Sequence, residues 1–515
     1  MSVRVSVVVP VYNPGTAIDE LIASLDRQTL AQDRFELLLC DDGSDAETQE
    51  KLALIARDRP YVRVANLPHS GWPGTPRNHG IDNAAGTYLQ FVDQDDHLFP
   101  EALERLCDYA DAHASDVVIG REVGVGRSLP KQIFRRDLPR ATLGKDPILE
   151  LLTPHKMFRT AFLRENGIRF PDGRVRLEDH LFVMQAYFAA ETISVLASVP
   201  CYAWVKHPGS ASSSRIDPET YFPHLETVLD VVEAHTEPGR LRDRLLRHWY
   251  RGKILKRLSA KQMSRYPDEY RQRFLDVVQP LAERRFGPGV DAGLAFPHRV
   301  RSALLRADRR DDLLRLAQFE TQVECRADVV SARWTRGGGL ALTVRVHLVH
   351  EGEEALVFTP ANADGIRTWR PPSWLEDLAP ALTDASRDLR DDRVELYLRA
   401  GDAAEERRLA GRGARDLAAV KVSIDPLKAF GPDDETRRAE LRVHVRHAGW
   451  SFDAPLTADA AVLAEAGRSP FLAGRRIELR AGEDGVVELR REWPGGRLRD
   501  AAGRTVRRLR ALLRR

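Results

Sequence analysis

The sequence predicts an α/β domain on a mostly parallel sheet, then a helical region, then a β-rich region. Three observations carry this. Strand and helix signals alternate over residues 1–120, as right-handed βαβ crossovers require. Residues 217–320 are almost entirely helical in pattern. Past Gly337-Gly338-Gly339 the apolar period changes to two, the mark of half-buried strands.

The elements follow in order. Val5–Val9 is a β-branched run, as in a strand covered on both faces. Asn13-Pro14-Gly15 turns the chain, and Ile18, Leu21, Ile22 and Leu25 repeat at helical spacing. Phe35–Cys40 is a second strand, closed by Asp41-Asp42-Gly43-Ser44. A helix carrying Leu52 and Ile55 precedes a short strand at Val62–Val64. Pro76 can start a helix through Ala85, and Tyr88–Val92 is the next strand. Residues 146–200 break the rhythm but still read as α/β. One helical stripe holds Leu225, Val228, Leu229 and Val232; another begins at Leu241, Leu245 and Leu246. Alternation then marks Leu340–Leu348, Val394–Leu398, Val420–Ile424 and Leu441–Val445, which suggests immunoglobulin-like β-sandwich modules. The expected domains are 1–216, 217–321, 322–428 and a smaller 429–515, the last boundary falling near Phe430–Asp434.

At 515 residues the chain has room for several cores. The net charge of +2 hides many ions of both signs, and no nucleic-acid partner is expected. Cys40, Cys107, Cys201 and Cys325 are widely spaced and fit neither a metal site nor a disulfide framework. The start is too short for a signal peptide, and no stretch reaches membrane-spanning length. The expectation is a cytoplasmic protein, peripheral at the inner face of the membrane.

Asp93, Asp95 and Asp96 follow the apolar run Leu89–Val92. This places acids at the carboxyl edge of a sheet, where open α/β sheets bind ligands. Hard oxygens two positions apart can share a Mg²⁺ or Mn²⁺ that also takes phosphate oxygens; the alternative is a solvated acidic turn. Strand one ends at Val9-Pro10-Val11-Tyr12-Asn13 and strand two at Asp41-Asp42. A carboxylate there can accept a uracil imide N–H while groups near Pro10 and the Tyr12 ring pack on the base. Glu178-Asp179 opens an apolar helical stretch. The helix dipole and amide donors keep such an acid ionised, as a general base requires; the alternative is a helix cap.

These residues, in this order, resemble the family 2 glycosyltransferases with the GT-A fold. His69–Asn78, Glu178–Phe182 and Trp204–Ser213 look more specifically like the wall teichoic acid poly(ribitol phosphate) β-N-acetylglucosaminyltransferases of the TarS and TarP type. The likeness is strong over residues 3–215 and weaker to about 320. It implies an inverting, metal-dependent enzyme that moves a sugar from a UDP-sugar to hydroxyls of an anionic polyol-phosphate polymer. Asp95 would hold Mn²⁺ or Mg²⁺, with Asp93 on the ribose or metal. Arg77 would reach the donor, Asp179 would be the base, and Glu178 would bind the donor sugar or orient the acceptor. Lys206, His207, Ser212 and Ser213 would close over the diphosphate. His69 stands where Asn is typical and Trp72 where Gly is typical, and both face the donor, so the donor sugar stays open. Rival readings keep the enzyme but change the acceptor to another surface polysaccharide or a lipid-linked sugar, or make the chain an inactive glycan-binding scaffold.

Two basic stretches admit two readings. Arg240–Lys261 is either a surface for an anionic polymer or lipid, or a solvated helix face. Arg504–Arg515 reads as a basic amphipathic helix, for anionic membrane contact or as a solvated tail, the first being favoured. The C-terminal modules could also support a homo-oligomer. Their tryptophans could bind sugar, though most are expected in the core.

Overall fold

A computed structural model of the protein describes residues 2–130, 132–207, 215–399, 406–413, 417–426, 438–470 and 476–492. Ser212, Ser213, the Phe430–Asp434 boundary, Trp493 and the Arg504–Arg515 tail lie outside the described residues. Two compact units form, residues 1–250 with 276–290, and residues 251–275 with 291 onward.

In the first unit, β1 (Val5–Val11), β2 (Phe35–Asp41), β3 (Val62–Asn66) and β4 (Tyr88–Phe91) alternate with α1 (Ala17–Asp26), α2 (Ala46–Arg57) and α3 (Gly74–Asn83). There follow β5 (His97–Leu98), α4 (Ala102–His113), β6 (Val117–Val125), β7 (Leu138–Ala141), β8 (Met157–Arg159), α5 (Thr160–Glu165), α6 (Glu178–Ala189) and β9 (Ile193–Val205). The sheet runs β3-β2-β1-β4-β8-β6-β9-β5, with β7 on β9. Its first four strands are parallel, as expected. The second half is mixed, because β8 lies antiparallel between β4 and β6. Helical connections force parallel neighbours, and the chain reaches β8 through loops, which leaves its direction free.

Period two sorts β1 between two faces. Val5, Val7, Val9 and Val11 join Ile18, Leu21, Leu25, Leu103 and Leu106 in one core. Ser6 and Val8 face the other way. Ser6 Oγ donates to Glu36 (2.6 Å) and accepts from Gly86 N (2.8 Å). Val8 meets Gly80 of α3 so closely that a Cβ there would lie 2.2 Å from its Cγ1. Gly80→Ala is therefore expected to lower stability by about 1–3 kcal/mol through overpacking. Helix propensity alone would favour Ala by about 1 kcal/mol, so a lower melting temperature isolates the packing cost and an unchanged one refutes it.

Helices α7 (Pro218–Ala234) and α8 (Arg240–Trp249) complete the first unit with residues 276–290. In the second unit the helix at Phe296–Arg306 supplies Phe296 to a cluster with Trp369 and Trp450, at 5.6 and 5.3 Å between centroids. Both tryptophans are buried, so they are core residues.

The β-rich region holds β10 (Glu324–Trp334), β11 (Leu340–His350), β12 (Glu353–Glu354), β13 (Val357–Phe358), β14 (Trp369–Arg370), β15 (Arg393–Arg399), β16 (Glu406–Gly413) and β17 (Val420–Ile424). It continues with β18 (Arg438–His447), β19 (Trp450–Thr457), β20 (Arg476–Ala481) and β21 (Val487–Glu492). Ten of these strands form one hydrogen-bonded network, ordered β12-β11-β10-β19-β18-β15-β16 along its main path. β15 pairs with β18 over its whole length, and β10 pairs with β19. The sequence places a module boundary near residue 429; strand pairing runs across it. Alternation reports that a strand has a buried face, not which strand lies beside it. All four cysteines are free thiols. Among the described residues, no helix is long and apolar enough to cross a membrane.

Candidate active site

The carboxyl ends of β1, β2 and β4 converge with the start of α6, at the edge where such sheets bind ligands. Arg77 sits in the first turn of α3 and is buried to 4% exposure. Its Nη2 donates to Asp93 Oδ1 (2.7 Å), its Nη1 lies 3.6 Å from Glu178 Oε1, and its Cζ stands 5.2 Å from the Phe170 ring centroid. One guanidinium thus bridges the acids after β4 and the acids opening α6.

Behind Asp93 is a second cation. His155 Nε2 lies 3.1 Å from Asp93 Oδ2, and His155 Nδ1 lies 3.7 Å from Glu122 Oε1. The imidazole stacks on Tyr202 at 4.1 Å and 8°. Burial opposes its charge, but the hydrogen bond to Asp93 and the nearby carboxylate of Glu122 outweigh this and hold its pKa at about 9. Asp93 is correspondingly pulled well below the usual carboxylate range by Arg77 and His155, against the effect of burial. Lys156 is wholly buried and donates to Thr153 O. Burial depresses its pKa to about 8, with Glu122 and Asp179 opposing.

Asp93, Asp96 and His155 offer ligand atoms within 4.8 Å of one another. In that group His155 Nε2 is already engaged with Asp93 Oδ2 (3.1 Å). Asp96 is also occupied, by Tyr202 Oη (2.6 Å) and Val205 N (2.7 Å). Burial and nearby Asp93 push its pKa up to about 7. Asp95 differs. Its side chain is 40% exposed, with His207 Nε2 3.8 Å from Oδ2. Burial and Asp93 raise its pKa, so added positive charge would be favourable there. Its hard oxygens fit Mg²⁺ or Mn²⁺. Asp93 retains lone pairs for the same ion, although its two cationic partners oppose it.

Leu177 precedes α6 in the left-handed region, at φ 62°. A bulky residue there is strained, and the turn sets Glu178 and Asp179 on the helix's first turn. Asp179 Oδ1 accepts from His180 N (2.8 Å). Glu178 is pushed up to about 7 by burial and then by Asp179, with Arg77 opposing. The fold thus favours protonated Glu178. The stability this contributes is complete near pH 4.5 and is lost as pH rises through about 7. Glu178→Gln should gain stability relative to wild type between pH 5 and 8; parallel melting profiles would show that Glu178 titrates normally.

On the opposite rim, Tyr12 is half exposed and stacks on His69 at 4.5 Å. Gln94 brackets its backbone, accepting from Tyr12 N (2.8 Å) and donating to Tyr12 O (3.1 Å). Pro10 lies near the end of β1, beside Cys40 of β2. Asp41 is buried and accepts from Ser44 N (3.2 Å), holding its own turn. Asp42 is the residue that ties this turn to the 69–71 loop, accepting from Ser70 N (2.8 Å), Ser70 Oγ (2.6 Å) and Gly71 N (2.9 Å). Lys206 is exposed just past β9, and His207 Nε2 meets Asp95 O (2.8 Å).

Every expected site residue within the described set lies on this edge or its rim. Glu122, His155, Lys156, Tyr202 and Gln94 pack into or around the same cluster, and the sequence reading did not name them. The polar pair His155-Lys156, directly before apolar Met157-Phe158, was the available signal. In the basic stretch 240–261, three arginines hold backbone instead of facing a polymer. Arg242 donates to Glu233 O (2.9 Å), Arg244 to Gly144 O, and Arg247 to Val290 O (2.7 Å) and Gly289 O (2.8 Å).

Comparison with known proteins finds relatives for the first 317 residues. Residues 6–169 match the family described as glycosyl transferase family 2, and residues 218–317 match the glycosyl transferase TarS linker domain. The poly(ribitol-phosphate) beta-N-acetylglucosaminyltransferase TarS of Staphylococcus aureus is 35% identical over 243 residues, 45% of this chain and 42% of that protein. The chain thus spans less than half the length of that relative. Glycosyltransferase GlyG of Streptococcus pneumoniae is 34% identical over 46% of this chain and 80% of its own length. The crystal structure of S. aureus TarS 1–349 in complex with UDP-GlcNAc superposes with a TM-score of 0.56 at 26% identity, covering 68% of this chain and 98% of that one.

Proposed function

Since the chain belongs to glycosyltransferase family 2, we propose that it transfers a sugar from a UDP-sugar, with inversion, to a hydroxyl of an anionic polyol-phosphate cell-wall polymer. N-Acetylglucosamine is the favoured sugar. The observation that carries the reading is Arg77, which joins the Asp93–Asp95 acids to the Glu178–Asp179 pair within one cluster. Those are two halves of a transfer site, one for a leaving diphosphate and one for an attacking hydroxyl.

In this mechanism Asp179 takes the proton of the acceptor hydroxyl, which attacks the sugar's C1 from the face opposite UDP. Glu178, poised near neutrality, can donate to or accept from a sugar hydroxyl and so orient it. Arg77, fixed by Asp93 and Phe170, keeps both acids in place and faces the donor. Tyr12 and His69 form a stacked wall for the base, with Pro10 and Asp41 at its edge. Lys206 and His207 would meet the departing phosphate oxygens, together with Ser212 and Ser213. Asp95, with Asp93 behind it, would hold Mn²⁺ or Mg²⁺, whose charge stabilises a leaving diphosphate. The β-rich region would hold successive polymer repeats and take no part in the chemistry.

The test is transfer from a panel of UDP-sugars to poly(ribitol phosphate) with Mn²⁺. N-Acetylglucosamine transfer that stops on chelation is expected. The apparent KM for polymer should rise between low and moderate salt, while that for the UDP-sugar changes little. Transfer to a neutral oligosaccharide with flat salt dependence would transfer the assignment to another surface glycan. No UDP release under any condition would mean an inactive scaffold.

A further inference from the structure

Two arginines close in sequence to Asp179 have no partner that the mechanism uses. Arg174 and Arg176 lie in the loop that leads into α6, Arg174 exposed and Arg176 half-buried. Their guanidinium carbons stand 5.7 and 5.3 Å from the Trp72 ring centroid, within cation–π range. Among the described residues neither side chain makes an ion pair or hydrogen bond. This sets them apart in a unit where Arg4, Arg59, Arg77, Arg159 and Arg169 are all paired with carboxylates.

The platform under them is built. Asp42 anchors Ser70 and Gly71, and Ser70 Oγ, donating to Asp42 Oδ1 (2.6 Å), lies 3.1 Å from Trp72 O. The two loops are fastened together by Asn78, whose side chain donates to Phe170 O (2.9 Å) and accepts from Phe170 N (2.9 Å). Gly74 lies so close to the second loop that a Cβ would come within 2.6 Å of Pro171 O. Trp72 is thus held in place, and the two guanidiniums flank it with donors to spare.

We propose that Arg174 and Arg176, held against Trp72, bind the phosphodiester of the acceptor repeat whose hydroxyl is attacked. This rests on the polymer-transferase reading and names the subsite within it. Two sources of phosphate oxygen meet at such a site, the donor diphosphate and the acceptor phosphodiester. Geometry favours the acceptor. Arg176 is three residues from Asp179, so their Cα atoms are at most about 11 Å apart. In an inverting displacement the base and the leaving group work on opposite faces of the sugar. Cations on the base side therefore face the nucleophile. A planar guanidinium grips a phosphate through two parallel N–H donors, which fixes the neighbouring hydroxyl as well as attracting the chain.

The test compares wild type, Arg174→Glu/Arg176→Glu and Arg174→Lys/Arg176→Lys, with poly(ribitol phosphate) as acceptor and UDP-N-acetylglucosamine as donor. For the Glu pair the KM for polymer should rise by about tenfold or more, as loss of charge-assisted hydrogen bonds implies. The KM for the UDP-sugar should move less than twofold. The Lys pair should fall between, because it keeps charge and loses the fork. A raised donor KM with an unmoved acceptor KM overturns the assignment in favour of the donor diphosphate. Unmoved constants for both overturn it outright. If wild type fails to modify the polymer, the transferase reading itself falls, a result visible before any variant is made. Circular dichroism matched to wild type shows that a raised KM is not a folding defect.

Discussion

Asp179→Asn is expected to lower kcat by about 10²–10⁴-fold, the usual worth of a general base, while UDP-sugar affinity stays near wild type. The amide keeps Oδ1, the atom that accepts from His180 N at 2.8 Å, so the helix start should hold its shape. What is lost is the capacity to take a proton. Calorimetry with the UDP-sugar and single-turnover transfer rates separate the two effects. A variant retaining more than about a tenth of the rate would remove Asp179 from this role, and Glu178 would be the next residue to test.

Arg77→Ala should cost both stability and activity. The side chain is 5% exposed, and its carboxylate partners Asp93 and Glu178 are 31% and 13% exposed. Without it Asp93 keeps only His155 and Glu178 loses its cation, and breaking such a buried group typically costs up to about 3–5 kcal/mol. Denaturant melts should show that loss, and kcat/KM should fall by about 10²-fold or more as the acids shift. Glu178 would lose the cation that lowers its pKa, so its titration should move further up. Arg77→Lys should rank between, since an ammonium cannot serve two acids in a fixed fork. Wild-type melting of the Ala variant would show that Asp93 and Glu178 are adequately solvated without Arg77.

The parallel half of the first sheet was legible because each element carries its own period. Val5, Val7 and Val9, the Ile18–Leu25 stripe and the Phe35–Cys40 run give strand, helix and strand without reference to the rest of the chain. The acids were legible for the same reason: they end a strand or open a helix. Their partners were not. His155 reaches Asp93 across 62 positions and Tyr202 reaches it across 109, through strands whose neighbours no local period reveals. The same blindness applies at residue 429, where alternation finds β15 and β18 but cannot show that they pair. That Asp42 and not Asp41 holds the 69–71 loop was not legible either, because two adjacent acids look alike until the turn orients them.

The pairing across residue 429 bears on how the protein can be shortened. A chain stopped at 428 would remove β18 from β15, where seven residues are paired, and β19 from β10. β15 would then carry a row of unsatisfied N–H and C=O groups beside apolar Val394, Leu396 and Leu398. Such an open edge is a template for pairing with another copy. Self-association seen in a chain cut there would therefore be an artefact of the cut, not evidence for an oligomer.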